Sequence, residues 1–117
     1  MSAARTIFTL AKFATGIFLG GMALASFAAE TPVVGLTIKD HRFIPESIVA
    51  PAGQKFILRV QNADNGVEEF ESSDLNRERI VRPGASTDIF LGPLSAGAYK
   101  FFGEFHPDSA RGQLIAK

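Results

Sequence analysis

Short runs of alternating apolar and polar residues, separated by turn-forming residues, fill the chain from residue 33 to its end. Phe56, Leu58 and Val60 alternate with more polar neighbours, as residues do in a strand that buries one face. Proline and glycine mark turns at residues 51–53 and 83–84. No long stretch after residue 30 combines helical periodicity with helix caps. The pattern predicts an all-β fold, a Greek-key sandwich or barrel.

Eight strands are predicted from this alternation. Their ranges are 33–39, 47–50, 55–61, 69–73, 79–81, 87–91, 98–102 and 113–116. The segment 73–79 has room for one helical turn. Tyr99, the only tyrosine, follows the turn-forming segment 94–98, which predicts that its hydroxyl bonds back to that turn as a tyrosine corner.

The first 29 residues are predicted to be a secretory signal peptide. Arg5 and Lys12 make the start basic, residues 13–27 are mostly apolar, and the small residues Ser26, Ala28 and Ala29 suit cleavage near Ala28 or Ala29. A retained membrane anchor is the alternative, although the clean apolar run is shorter than the ~20 residues that a spanning helix needs. The remainder, residues 30–117, is long enough for one domain, which we expect to be periplasmic.

Composition excludes several classes of function. Removing the two basic residues of the leader lowers Lys+Arg from 12 to 10 against 12 Asp+Glu, so the domain carries a formal charge of −2 and no field that would attract nucleic acid. The chain has no cysteine, which excludes thiol catalysis, thiolate metal ligands and disulfides. No nucleophile elbow or phosphate-binding glycine loop is present. Metal chemistry is the class that remains.

Two histidines and a set of acidic residues are the candidate metal ligands. His41 lies in a polar segment after the first strand, and His106 lies between the last two strands. Glu69 belongs to an acidic run at 68–71, and Glu104 precedes His106 by two residues. Imidazole and carboxylate donors suit Cu(II), Fe and Mn better than Cu(I). Each residue also has a simpler interpretation, as a solvated loop side chain or the polar face of a strand.

The segment Tyr-Lys-Phe-Phe-Gly-Glu-Phe-His at 99–106, followed by Gly-Gln-Leu-Ile at 112–115, resembles the ligand loop of the cupredoxins, small copper-binding β-sandwich proteins. In blue-copper members a cysteine stands at the place of Gly103, a histidine follows at the place of His106, and a methionine closes the loop near Arg111. The same resemblance places Glu69 at the position of another histidine ligand. It implies that Glu69, Glu104 and His106 converge, with His41 brought to the same end.

Several stretches also resemble exported cupredoxin-like proteins of bacterial iron uptake. The more specific ones are Glu-Phe-Glu-Ser-Ser-Asp-Leu at 69–75 and Phe-Phe-Gly-Glu-Phe-His-Pro-Asp at 101–108. Related domains of this branch carry cysteine ligands where this chain has Phe43 and Gly103. The resemblance implies a periplasmic partner of a ferrous-iron permease that binds copper (Cu²⁺) or iron, with oxidation of Fe(II) as a candidate activity.

Two functions therefore stay open at this stage. The first is a periplasmic protein that binds copper or iron during ferrous iron uptake. The second is a metal-free β-sandwich that serves as an interaction module for a membrane transporter. A blue-copper electron carrier is a third class, and the missing cysteine argues against it.

Overall fold

A computed structural model describes residues 16–17, 20–21 and 30–117. The predicted signal peptide at 1–29 and its cleavage near Ala28 or Ala29 thus fall almost entirely outside the described residues. In the described part of the chain, no helix has the length and apolarity needed to cross a membrane.

Nine strands and no helix form the described domain, which confirms the all-β prediction. They are β1 (Val33–Lys39), β2 (Arg42–Ile44), β3 (Ser47–Ala50), β4 (Phe56–Asn62), β5 (Glu68–Ser72), β6 (Arg77–Val81), β7 (Ser86–Leu91), β8 (Gly97–Phe102) and β9 (Arg111–Ala116). Only β2, three residues long, was not predicted. Residues 73–76 form a turn without a helix.

The strands form a four-stranded sheet in the order β2-β1-β4-β7 and a five-stranded sheet in the order β3-β9-β8-β5-β6. The β1–β4 and β3–β9 pairs are parallel, and all other pairs are antiparallel. The Tyr99 hydroxyl donates to the Ser95 carbonyl at 2.8 Å, as a tyrosine corner requires. This bond ties the start of β8 to the turn before it.

Aromatic side chains fill the space between the sheets. Phe43, Phe70 and Phe101 are fully buried and pack edge-on or tilted, with ring centroids 4.9–6.1 Å apart. Such pairs stabilise a core beyond the area that they bury. Phe56 and aliphatic residues from both sheets complete the core. The rigid aromatic group lies on the strands that lead into the candidate site: β2, β5 and β8.

Strand β5 places consecutive glutamates on opposite faces, because side chains alternate along a strand. Phe70 points into the core, so Glu68 shares its inward side, whereas Glu69 and Glu71 belong to the outer face. Glu68 and Glu69 are 1% and 2% exposed. The expected strand at 69–73 begins one residue earlier, at Glu68, and this register decides which carboxylate meets the histidines.

Candidate metal centre

Three connections meet at one end of the sandwich and supply its polar residues. The β1–β2 turn carries His41, the first residue of β5 is Glu68, and the β8–β9 loop carries His106. Their potential ligand atoms all lie within 4.8 Å of one another. The three segments are far apart in sequence, so the fold itself assembles this group.

The Glu68 carboxylate bridges the two imidazoles. His41 Nδ1 lies 2.8 Å from Glu68 Oε1, and His106 Nδ1 lies 3.2 Å from Glu68 Oε2. The two rings stack with centroids 3.6 Å apart and an interplanar angle of 21°. Glu68 is buried, but His41 and His106 remain 50% and 35% exposed. The group is thus a buried carboxylate capped by two accessible imidazoles.

The turn that presents His41 has an unusual backbone. Asp40 and His41 have φ values of 52° and 56°, and Lys39 pairs directly with Arg42, so the two residues form a tight hairpin turn. Non-glycine residues occupy this left-handed region at a cost. The side chain of Asp64 offsets it: its carboxylate accepts hydrogen bonds from the backbone N–H of Asp40 at 2.6 Å and of His41 at 3.0 Å.

Asp64 is in turn fixed by the β4–β5 loop. Asn62, fully buried, accepts from the Asp64 N–H and donates to the carbonyls of Gly66 and Val81. Partial burial favours the neutral form of Asp64, but the hydrogen bonds from the His41 and Asp40 N–H groups outweigh it and lower the pKa of Asp64. Asp64 therefore stays ionised beside the imidazoles and orients His41.

The His106 loop is fastened to the same turn. Gly103 and Ala110 are joined by a backbone hydrogen bond, and the His106 carbonyl accepts from the N–H of Ala110 at 2.8 Å. The Ser109 hydroxyl donates to the His41 carbonyl at 2.6 Å. Ser109 thus connects the two histidine-bearing segments directly.

A second group of four carboxylates lies on the outer face of the five-stranded sheet. Glu69, Glu71, Glu78 and Glu104 have oxygens within 4.8 Å of one another. Glu71 and Glu78 are direct neighbours across β5 and β6, and Glu69 accepts a long hydrogen bond of 3.4 Å from the Glu104 N–H. Burial, together with the neighbouring carboxylates, raises the pKa of Glu69 to about 7, against the opposing effect of that hydrogen bond.

The four predicted residues thus fall into two groups. His41 and His106 come together as expected, but the carboxylate between them is Glu68, which was not predicted as a ligand. Glu69 and Glu104 meet each other on the outer face, so the expected convergence of Glu69, Glu104 and His106 is corrected. The cause is that β5 begins at Glu68, one residue earlier than predicted, so Glu68 and not Glu69 lies on the side of the histidines. Whether any of the four binds a metal stays a prediction.

A family model described as the cupredoxin-like domain matches residues 11–116. The chain belongs to this family. A curated relative, an uncharacterized protein of Rickettsia prowazekii (strain Madrid E), is 50% identical over 82 residues, which cover 70% of this chain. The match spans 66% of that relative's length, just under two thirds.

Solved cupredoxin structures share the fold. Auracyanin A of Chloroflexus aurantiacus, described as a "blue" copper protein, superposes with a TM-score of 0.63 at 11% identity and covers 75% of this chain and 100% of its own. Amicyanin of Paracoccus versutus gives 0.57 at 19% identity and covers 80% of this chain and 87% of its own. At these identities the likeness shows the fold alone.

The donor set differs from that of a thiolate copper site. A Cβ atom at Gly103 would lie 2.9 Å from the Glu69 carbonyl oxygen and 3.0 Å from the Ala110 Cβ. The backbone around Gly103 therefore has no room for a cysteine side chain. Two imidazole nitrogens and one carboxylate, with an open solvent side, fit Cu(II) and also Zn(II) or Fe(II). The group thus fits a copper ion of a cupredoxin-like protein, but one without a sulfur ligand.

Proposed function

We propose that this cupredoxin-like protein binds copper, and through it handles iron, in the periplasm during ferrous iron uptake. The observation that carries the proposal is the contact of Glu68 with both imidazoles, at 2.8 and 3.2 Å, at an accessible end of the fold. The apolar leader at residues 13–27 supports export. A ferrous-iron permease is the proposed partner.

His41, His106 and Glu68 would hold the ion. Ligands about 2 Å from a metal lie roughly 3 Å from one another, which is the separation seen here. Protons on the imidazole nitrogens must leave when a metal binds. Asp64 and Ser109 fix the His41 turn, so little rearrangement is needed, and the exposed side of the two rings leaves a position for solvent or substrate.

Oxidation of Fe(II) is the proposed activity. Bound Cu(II) would supply a one-electron acceptor, so that one Fe(II) substrate becomes Fe(III) as one Cu(II) becomes Cu(I). The carboxylate group formed by Glu69, Glu71, Glu78 and Glu104 offers hard oxygen donors, which favour the ferric product. Without an external oxidant the step occurs once for each copper.

Calorimetric titration with Cu(II) tests metal binding. The wild-type protein should bind one Cu(II), and His106→Ala should weaken it by about 100-fold or more, because the site loses one of three donors. The variant leaves Glu68 with one imidazole, so the apoprotein should lose only about 1 kcal/mol. His106→Gln retains a polar side chain but no imidazole, and it should lose affinity too, which assigns the loss to the missing imidazole.

A metal-free interaction module for a membrane transporter is the second candidate. Exposed apolar side chains of Val67 and Phe105 flank Glu68 and His106 in the sequence, which favours a contact surface at this end. If the wild-type protein binds each of Cu(II), Fe(II), Mn(II) and Zn(II) no more tightly than His106→Ala does, the interaction module becomes the better interpretation.

The proposed oxidation of Fe(II) has its own test. Anaerobic mixing of Cu(II)-loaded protein with Fe(II) should yield one Fe(III) per copper.

A further inference from the structure

A groove of about 640 Å³ lies on the outer face of the five-stranded sheet, beside the carboxylate group. Its walls come from the start of β3, from β8 and from the start of β9, and Pro107 of the histidine loop closes one end. The volume is that of sites for small organic ligands. Close packing at Gly112 shapes its floor, since a Cβ there would overlap the Glu46 carbonyl and the Phe101 ring.

Two cations line the groove, and neither side chain forms an ion pair with a carboxylate of the described residues. Lys100 and Arg111 are diagonal neighbours across β8 and β9, because Lys100 pairs with Gln113 and Phe102 with Arg111. Within residues 30–117 the only ion pair of a lysine or arginine joins Arg59 to Asp88. The two groove cations are therefore available to an external anion.

Arg111 is oriented in advance. Its Nε donates to the Pro107 carbonyl, and its two terminal nitrogens have no acceptor among the described residues. A guanidinium in this state presents two N–H groups side by side, the geometry that a carboxylate accepts. Fixing the side chain before binding reduces the entropy that a ligand must offset.

The other lining residues indicate which further groups a ligand of this groove would carry. Phe102 and Pro107 offer apolar surface for a short carbon skeleton, and Ser47 and Gln113 offer hydrogen bonds. Glu46 is the one anion of the lining. Glu71 pairs with Phe102 across β5 and β8, so it lies beside that ring on the same face, on the β5 side of the groove. An anion is thus attracted toward Arg111 and Lys100 and repelled from β5.

We propose that this groove binds a small organic polycarboxylate, with one carboxylate on Arg111 and another near Lys100. The site is separate from His41, Glu68 and His106, and the proposal goes beyond metal binding. Two carboxylates match the two unpaired cations, and the apolar wall accommodates the carbon skeleton between them.

Titration of the purified, metal-stripped protein with citrate tests the proposal, with chemical-shift changes and calorimetry as readouts. Citrate should bind saturably and shift the amides of residues 100–102 and 111–113. Arg111→Gln should weaken binding about tenfold, as expected for the loss of one charge-assisted pair. Lys100→Gln should weaken it less. Lys55→Gln and Arg82→Gln, charge-matched changes outside the groove, should leave binding unchanged.

Three results would overturn the proposal. They are the absence of saturable citrate binding, equal binding by the wild type and the Arg111→Gln, Lys100→Gln double variant, and displacement of citrate by an equal concentration of inorganic phosphate. The last result would mean a site for any anion. His106→Ala should retain citrate binding, so failure of the metal site and failure of the groove are distinguishable. An unchanged far-UV circular dichroism spectrum and an unchanged midpoint of thermal unfolding show that Arg111→Gln is folded.

Discussion

Glu68 and Glu69 are adjacent, of the same residue type and almost equally buried, yet they meet opposite surroundings. Glu68 faces two imidazoles at the end of the sandwich. Glu69 faces the carboxylates of Glu71, Glu78 and Glu104 on the outer face. The difference comes from the alternation of side chains along β5. Burial alone thus does not decide what a glutamate can do, because the neighbouring charges decide it.

The two groups also differ in how firmly they are organised. The imidazole group is fixed by Asp64 and Ser109, whose hydrogen bonds reach the backbone of His41. In the described part of the chain, the carboxylate group accepts one long hydrogen bond, from the Glu104 N–H, and its like charges repel one another. A cation would relieve that repulsion, whereas at the imidazole group it would replace existing hydrogen bonds. The imidazole group is nevertheless the better candidate for tight, specific binding, because its ligands are already fixed in position.

Exchanging each glutamate for glutamine tests this contrast most strongly. Glu68→Gln should weaken Cu(II) binding by about 10- to 100-fold, because it removes the one negative charge between the imidazoles. Glu69→Gln should leave Cu(II) affinity within about threefold, since its carboxylate belongs to the other group. Calorimetric titration of both variants measures the difference. Equal losses would mean that the two groups act as one site.

The pH dependence of stability distinguishes the two glutamates again. The pKa of Glu69 is raised to about 7 in the folded protein from an ordinary 4.5. The folded state therefore holds more protons than the unfolded state between these values, and Glu69 lowers stability as pH rises from about 4.5 to 7. The full loss, roughly 3 kcal/mol, should persist above pH 7.

Urea unfolding of wild type and Glu69→Gln at pH 5 and pH 8 checks this expectation. The variant should be the more stable protein at pH 8, and its advantage should shrink at pH 5, where Glu69 is protonated in the fold. An advantage that is independent of pH would contradict the raised pKa.

A cysteine at Gly103 should not restore a thiolate copper site. Gly103→Cys places a Cβ against the Glu69 carbonyl and the Ala110 side chain, and such overpacking costs about 1–3 kcal/mol. Gly35→Ala is the matched control, because nothing lies within 4 Å of a Cβ there. Thermal unfolding compares the two. A Gly103→Cys variant that is as stable as the wild type and intensely coloured with copper would contradict this account.

The smallest expected effect concerns the His41 turn. Asp64→Asn removes the charge that accepts from the backbone N–H of Asp40 and His41, and it should weaken Cu(II) binding by about tenfold. The lowered pKa of Asp64 stabilises the wild type above the ordinary pKa of 3.8, and that contribution is lost as pH falls through the folded value. Stabilities of wild type and variant should therefore converge in acid.

Alternation and turn signals were sufficient to predict the two-sheet fold and the approximate strand ranges, because one face of each strand is buried. Strand β2 was missed, since three residues give too short a pattern. Family spacing placed His106 correctly in the β8–β9 loop, and His41 at the same end. The family spacing was wrong at β5, because a shift of one residue moves a side chain to the other face of the sheet.

Glu68 was nevertheless detectable from the sequence. Phe70 is the large apolar residue of the acidic run, so it indicates the inward face, and Glu68 lies two residues before it. Asp64, Asn62 and Ser109 offered no such signal, because their roles depend on hydrogen bonds between segments that are distant in the chain. Likewise, the groove cations are brought together only by the β8–β9 register.

We propose that His41, Glu68 and His106 form one Cu(II) site with two imidazole ligands and no sulfur ligand. Electron paramagnetic resonance of the Cu(II)-loaded protein, resolved for nitrogen hyperfine coupling, tests it most directly. The wild type should show coupling to two imidazole nitrogens, and His41→Ala and His106→Ala should each show one. A wild-type spectrum without imidazole coupling, or one that neither substitution changes, would contradict the claim.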